Sequence, residues 1–218
     1  MNKQGHKTTI AISRQMGSGG SYVGRLLAER LGFRYIDREV LRLAAQELNC
    51  DERELAARAE RVSSFWERVF GSLGFGPPDG PYAPPPMLRA ITDRELFDRQ
   101  TAILKEIART NDCVIVGWGS ALMLPRRPRK VSIFCHAPVS FRVRRLQEIY
   151  PGTDEEQAQA LVAESDEMRG RYIEEMTGKD WVCLQNYHLA IDTSTLPLPQ
   201  IAELLLEFLR LKGITGGD

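Results

Sequence analysis

The chain has 218 residues, of which 43% are hydrophobic, enough apolar material to bury the core of one ordinary domain. Lys plus Arg equals Asp plus Glu at 29 each, so the overall balance argues against a nucleic-acid or membrane-surface partner. No apolar stretch approaches the roughly 20 residues of a spanning helix, MNKQGHK at the start has no apolar signal region, and Cys50, Cys113, Cys135 and Cys183 form no CxxC pair. These features predict a cytoplasmic protein with reduced core thiols.

Thr9 to Ile12 is a β-branched, apolar run that reads as a buried strand. Gly17, Ser18, Gly19, Gly20 and Ser21 follow as a glycine-rich turn, after which Val23, Leu26, Leu27 and Leu31 recur at helical spacing and Gly32 supplies a C-cap. A strand, a glycine loop and a helix in this order gather backbone N–H groups and a helix dipole at one point. Such a point suits an anion, most naturally phosphate. Against the Walker pattern GxxxxGK[ST], the window RQMGSGGS keeps the last glycine and the hydroxyl of Ser21, but has Arg14 in place of the first glycine and Gly20 in place of the lysine. The glycine backbone and a hydroxyl placed for Mg²⁺ therefore survive, and Arg14 is the candidate for the missing cation. The competing reading is a tight turn whose glycines satisfy sterics alone.

Phe33 to Ile36 predicts a second strand, with Asp37 and Arg38 at its carboxyl end, where open parallel sheets bind ligands. Asp37 reads equally well as the N-cap of a following helix bearing Val40, Leu41 and Ala44. DERE from Asp51 has capping-box form and predicts a further charged helix. Residues 71–88 then form a Pro/Gly-rich insert, either a surface loop or a flap over substrate. Thr92 opens a helix with the box TDRE and an inward row of Leu96, Ile103, Leu104 and Ile107.

Cys113 to Val116 fits a central parallel strand. The glycines around Trp118 signal close approach there by a ligand or by neighbouring backbone. Val131 to Cys135 is a fourth strand and His188 to Asp192 a fifth; Thr153 opens a helix with the box TDEE, and the final helix is expected to turn Ile201, Leu204, Leu205 and Phe208 inward. Between them lie Arg142, Arg144, Arg145, Arg169 and Arg171, each readable as a solvated, acid-paired side chain or, together, as cations that neutralise a transferring phosphoryl group. The alternation predicts an α/β fold: a five-stranded parallel sheet with helices on both faces.

The run ISRQMGSGGSYVGRLLAERLGFRYIDREVL resembles the opening of the cytidylate-kinase-like family, a branch of the P-loop nucleoside monophosphate kinases whose loop reads SRxxGSGG without the Walker lysine. DCVIVGWGSALML, VSIFCHAP, the Asp166 to Arg169 spacing before Tyr172, TGKDW and NYHLAIDTS follow in the family's order. The resemblance implies a single P-loop kinase domain over residues 1–218, with an acceptor-binding lobe at 38–91 and a helical lid at 140–180. It implies ATP and Mg²⁺, with small-molecule nucleotide substrates: the γ-phosphate moves to a nucleoside monophosphate such as CMP or dCMP. By similarity, Gly17, Ser18, Gly19, Gly20 and Ser21 hold phosphates, Ser21 approaches the metal, and Asp37 and Arg38 face the acceptor. Arg142, Arg169 and Arg171 are the clamp candidates. The chain departs from the family where Trp118 stands in place of an arginine, an aromatic that stacks on a base but cannot neutralise phosphate, and where Ile173 and Glu174 replace a tyrosine and a lysine. The alternatives are a nucleotide-binding regulatory or scaffold protein without turnover, and a kinase for another small acceptor.

Overall fold

The computed structural model describes residues 7–37, 93–117 and 119–214. Five strands make one all-parallel sheet in the order β2-β3-β1-β4-β5: β1 Thr9–Arg14, β2 Arg34–Ile36, β3 Cys113–Val116, β4 Lys130–His136 and β5 Leu189–Asp192. The helices are α1 Gly20–Leu31, α2 Asp93–Thr110, the single turn α3 Ser120–Met123, α4 Val139–Ile149, α5 Glu155–Thr177 and α6 Leu198–Leu211. All five expected strands are present, within two residues of their expected limits.

β1 is central because it is apolar on both faces, and it pairs with β3 on one side (Ile12 opposite Val116) and β4 on the other (Arg14 opposite Cys135). The chain leaves β1 for the far edge and returns through β3 before reaching β4. The carboxyl end of β1 is thus a topological switch point, where such sheets leave a crevice. Alternation along the strands sends Ile10, Ile12, Val131 and Ile133 into a core with Val23, Leu27, Ile201, Leu205 and Leu209 of α1 and α6. Phe134 faces the other way, against Leu122, Ile173 and Trp181. Helices therefore cover both faces. α4 and α5 add a small core of Val143, Leu146, Ala158 and Val162 that also takes in Met16 from the loop after β1.

Two sequence expectations need correction. The final helix buries Leu198, Ile201, Ala202, Leu205 and Leu209, while Leu204 is 47% exposed and Phe208 only partly covered. The inward stripe centres on Leu205 and Leu209, and Leu204 lies about 100° around the helix from Leu205. The capping box also starts one residue later than expected. Asp154, not Thr153, is the N-cap: its carboxylate accepts from the Gln157 N–H at 2.8 Å and the Gln157 side chain accepts from the Asp154 N–H. In α2, Ile103, Leu104 and Ile107 are buried as expected, with Phe97 beside them. The Thr92 box, the Leu96 side chain, the helices expected after Asp37 and at Asp51, Cys50 and the insert 71–88 lie outside the described residues.

Thr153 is buried with its hydroxyl unpartnered, which separates the two candidate caps experimentally. Asp154→Ala is expected to cost about 1 kcal/mol by chemical denaturation, whereas Thr153→Val, which removes an unsatisfied hydroxyl, is expected to be neutral or slightly stabilising. The reverse order would restore Thr153 as the cap.

Candidate active site

The loop after β1 is held by the strand ends around it. Gln15 donates its N–H to the Cys135 carbonyl at 3.0 Å, and its side-chain oxygen accepts from the Ala137 N–H at 3.2 Å. Ser18 is fully buried: its hydroxyl donates to the Gln15 carbonyl at 2.9 Å, and its carbonyl accepts from the Thr193 hydroxyl at 2.6 Å. Its side chain closes the loop. Gly17 and Gly19 have φ of 78° and 81°, and a Cβ on Gly17 would meet the Arg142 carbonyl at 2.7 Å. Steric need and anion binding are compatible here, since the same close-packed turn delivers the N-terminus of α1. Among the described residues no side chain caps that terminus, and no acid lies in its first turn, an arrangement that favours negative charge at the helix end.

Three of the four expected cationic residues meet at this loop. Arg142 is buried, with Nη1 2.5 Å from Asp166 Oδ2 and 3.3 Å from the Met16 carbonyl. Arg169 Nη1 reaches Asp166 Oδ1 at 3.2 Å and the Arg14 carbonyl at 3.0 Å, and its guanidinium lies over the Trp181 ring. Asp166 Oδ1 also accepts the Met16 N–H at 2.9 Å. One carboxylate thus joins two guanidinium groups to the loop backbone. Burial, then the nearby charge of Arg14, pushes the Arg169 pKa down to about 9, which still leaves it charged at neutral pH. Arg171 is not brought to this cluster. It points to solvent, 75% exposed, and pairs with Glu167 one turn away.

On the other side of the loop, Arg14 runs from the end of β1 to Ser21 and Asp37, its Nε 3.4 Å from the Ser21 hydroxyl and its Nη2 4.0 Å from Asp37 Oδ1. Tyr35 donates to Asp37 Oδ2 at 3.3 Å and stays a neutral phenol, its pKa pushed up to about 12 by burial and then by the Asp37 carboxylate. Gly117, at the end of β3, has φ 82°, and a Cβ there would lie 2.2 Å from Arg14 Nη1. The close approach anticipated at this glycine is made by a guanidinium of the same chain. Arg38 and Trp118 lie outside the described residues.

One feature escaped sequence reasoning. A cleft of about 390 Å³ opens between α4, with Phe141, Arg144 and Arg145, and the turn after β5, with Thr195, Pro197 and Leu198. It adjoins the loop through Leu198, against which Gly19 packs. The segment LPLP after the fifth strand was its sequence signal, readable as a turn but not as a wall.

A glycine loop feeding an uncapped helix at the switch point of a 2-3-1-4-5 parallel sheet defines the P-loop kinase fold. The sequence model of the cytidylate kinase-like family matches residues 9–195, and the chain belongs to that family, which makes it a kinase-like phosphotransfer enzyme. Among solved structures, it is similar to an uncharacterized protein from Eubacterium ventriosum ATCC 27560 (20% identity, 94% of this chain and 99% of that one, TM-score 0.66). It is also similar in fold to shikimate kinase from Bacteroides thetaiotaomicron (14% identity, 93% and 98% covered, TM-score 0.50). No curated protein matches the sequence. Among the described residues, no helix is long and apolar enough to cross a membrane.

The Asp166 junction generates a stability prediction. Asp166→Ala leaves two largely buried guanidinium groups facing each other and is expected to cost about 3–5 kcal/mol in denaturant unfolding. Arg171→Ala is expected to leave the melting temperature unchanged. Equal effects would show that the junction contributes no more than a surface pair.

Proposed function

We propose that the enzyme moves the γ-phosphoryl group of ATP to a nucleoside monophosphate, with CMP or dCMP as acceptor. The observation that carries this reading is the uncapped, acid-free N-terminus of α1 framed by Gly17 to Ser21, with Arg14, Arg142 and Arg169 around it. Among the described residues those three guanidinium groups face two carboxylates, Asp37 and Asp166, a surplus of positive charge before any phosphate enters.

The polyphosphate would lie along the backbone of Gly17, Ser18, Gly19, Gly20 and Ser21, and the purine would enter the cleft beside Pro197 and Phe141. The Ser21 hydroxyl and the Asp37 carboxylate are hard oxygen donors on the same side of the loop, both partly exposed and linked by Arg14. The Ser21 hydroxyl would be the protein oxygen for Mg²⁺, which commonly takes one or two and completes its shell with phosphate oxygens and water; when bound the ion would neutralise charge on the phosphates. Asp37, Arg38 and Trp118 are assigned to the acceptor side, with residues 38–91 as the acceptor lobe and 140–180 as the lid. Arg171, exposed and paired with Glu167, would have to leave that partner to serve as a clamp.

Phosphoryl transfer asks for alignment and charge neutralisation more than for a nucleophile supplied by the protein. The network supplies both. Asp166 fixes the loop through Met16, and Arg142 and Arg169 add positive field while holding the Met16 and Arg14 carbonyls. That same engagement favours a second reading, a nucleotide-binding protein without turnover, because two of the expected clamp residues are already bonded to Asp166 and to backbone.

One coupled assay separates the two. With ATP, Mg²⁺ and a panel of CMP, dCMP, UMP and AMP, ADP release above background is expected with CMP or dCMP. Normal ATP binding with no ADP release for any acceptor would support the second reading. Turnover only with a non-nucleotide acceptor, shikimate included, would replace the acceptor assignment.

The purine assignment has its own check. Pro197→Asp places a charge in the wall of the cleft and is expected to weaken ATP binding at least about tenfold, with little effect on binding of inorganic triphosphate. Equal weakening of both would put the base elsewhere.

A further inference from the structure

The Walker pattern places a side-chain-free residue at its first position and a lysine six residues on. In this chain the two are reversed, Arg14 first and Gly20 six on. The structure shows that the two positions face each other across the loop. A Cβ built on Gly20 would lie 2.6 Å from Arg14 Cβ and 3.2 Å from Arg14 Cγ. Carbon atoms meet at about 3.5–4.0 Å, so the gap between the end of β1 and the first turn of α1 admits one side-chain stem and not two.

We propose that Arg14 and Gly20 are a reciprocal exchange of the Walker glycine and lysine, with the phosphate-binding cation moved from α1 to the end of β1. The path of Arg14 supports this. Its stem occupies the space left by Gly20, and its guanidinium passes over Gly117, where any Cβ would lie 2.2 Å from Nη1. It ends beside the Ser21 hydroxyl, on the loop face that presents the α1 N-terminus. Two side-chain-free positions thus flank one arginine along its length.

The arginines at the loop are also held differently. Arg142 and Arg169 make contacts of 2.5 to 3.3 Å to Asp166, Ser165 and the carbonyls of Met16 and Arg14. Among the described residues, the contacts of the Arg14 side chain are longer, 3.4 Å to Ser21 and 4.0 Å to Asp37. Its guanidinium has the most to gain from a phosphate, whose paired oxygens match the planar donor fork of arginine.

This inference rests on the ATP-binding reading, and the experiment keeps the two apart. Five proteins are compared: wild type, Gly20→Ala, Arg14→Gly, Arg14→Gly/Gly20→Ala and Arg14→Gly/Gly20→Lys. Each is melted without nucleotide and then titrated with a non-hydrolysable ATP analogue and Mg²⁺. Gly20→Ala is expected to lower the melting temperature by roughly 4 °C or more in the wild-type background and by less than about half that with Gly at position 14, where the 2.6 and 3.2 Å approaches to the Arg14 stem are gone. Arg14→Gly is expected to weaken the analogue at least about tenfold, and Arg14→Gly/Gly20→Lys to recover most of that loss. If the wild type binds normally, an equal melting cost of Gly20→Ala in both backgrounds, or unchanged affinity in Arg14→Gly, would overturn the exchange and leave the ATP reading standing. No binding to the wild type would overturn the ATP reading and the phosphate role of Arg14 together.

Discussion

The carboxylate of Asp166 is the contact on which the geometry of the site depends. It accepts the Met16 N–H and holds Arg142 and Arg169, and those two guanidinium groups return to the carbonyls of Met16 and Arg14. Charge-assisted bonds of this kind are stronger than neutral ones, and in a poorly hydrated setting each member depends on the others for satisfaction. The glycine loop is therefore fixed to α4 and α5 before any ligand arrives. A loop ordered in advance loses less entropy when phosphate binds.

The glycines take their meaning from that fixation. Gly17 lies against the backbone at Arg142, Gly19 against Leu198 of α6, and Gly20 against Arg14. Gly17 and Gly20 permit approaches that a methyl group would prevent, Gly19 holds a φ of 81°, and together they bring three separate elements to one turn. The price is conformational freedom in the unfolded chain, offset here by the tertiary contacts of the loop. The N-cap of α1, Gly19, also brings no side chain to bond the helix end. Structural and chemical demands thus select the same residues, which is why the steric reading and the anion-binding reading were hard to separate in the sequence.

Much of the fold was legible because it is written in local pattern. Short apolar runs marked all five strands, and Gly32 marked the end of α1, where its N–H meets the Ala28 and Glu29 carbonyls. The errors came where one residue shifts a face or a cap: Leu204 for Leu209, and Thr153 for Asp154. At the site, glycines and hydroxyl were readable from spacing, and so was the position of Asp37 at the carboxyl end of its strand; its approach to Arg14 across β3 was not. The role of Asp166 was not, since its bond to Met16 spans 150 positions and only packing reveals it. Arg142 and Arg171 looked alike in sequence. One is buried against the loop and the other rides on the outer face of its helix, a distinction set by helix orientation rather than by composition.

In the proposed function, main-chain amides from Gly17 to Ser21 grip a polyphosphate without a Walker lysine. Amide NMR of the ¹⁵N-labelled protein, titrated with a non-hydrolysable ATP analogue and Mg²⁺, tests it most directly. Large downfield proton shifts that saturate together with ligand are expected for the Gly19, Gly20 and Ser21 amides. Saturable binding that leaves those amides unmoved, with its perturbations elsewhere in the chain, would contradict that grip.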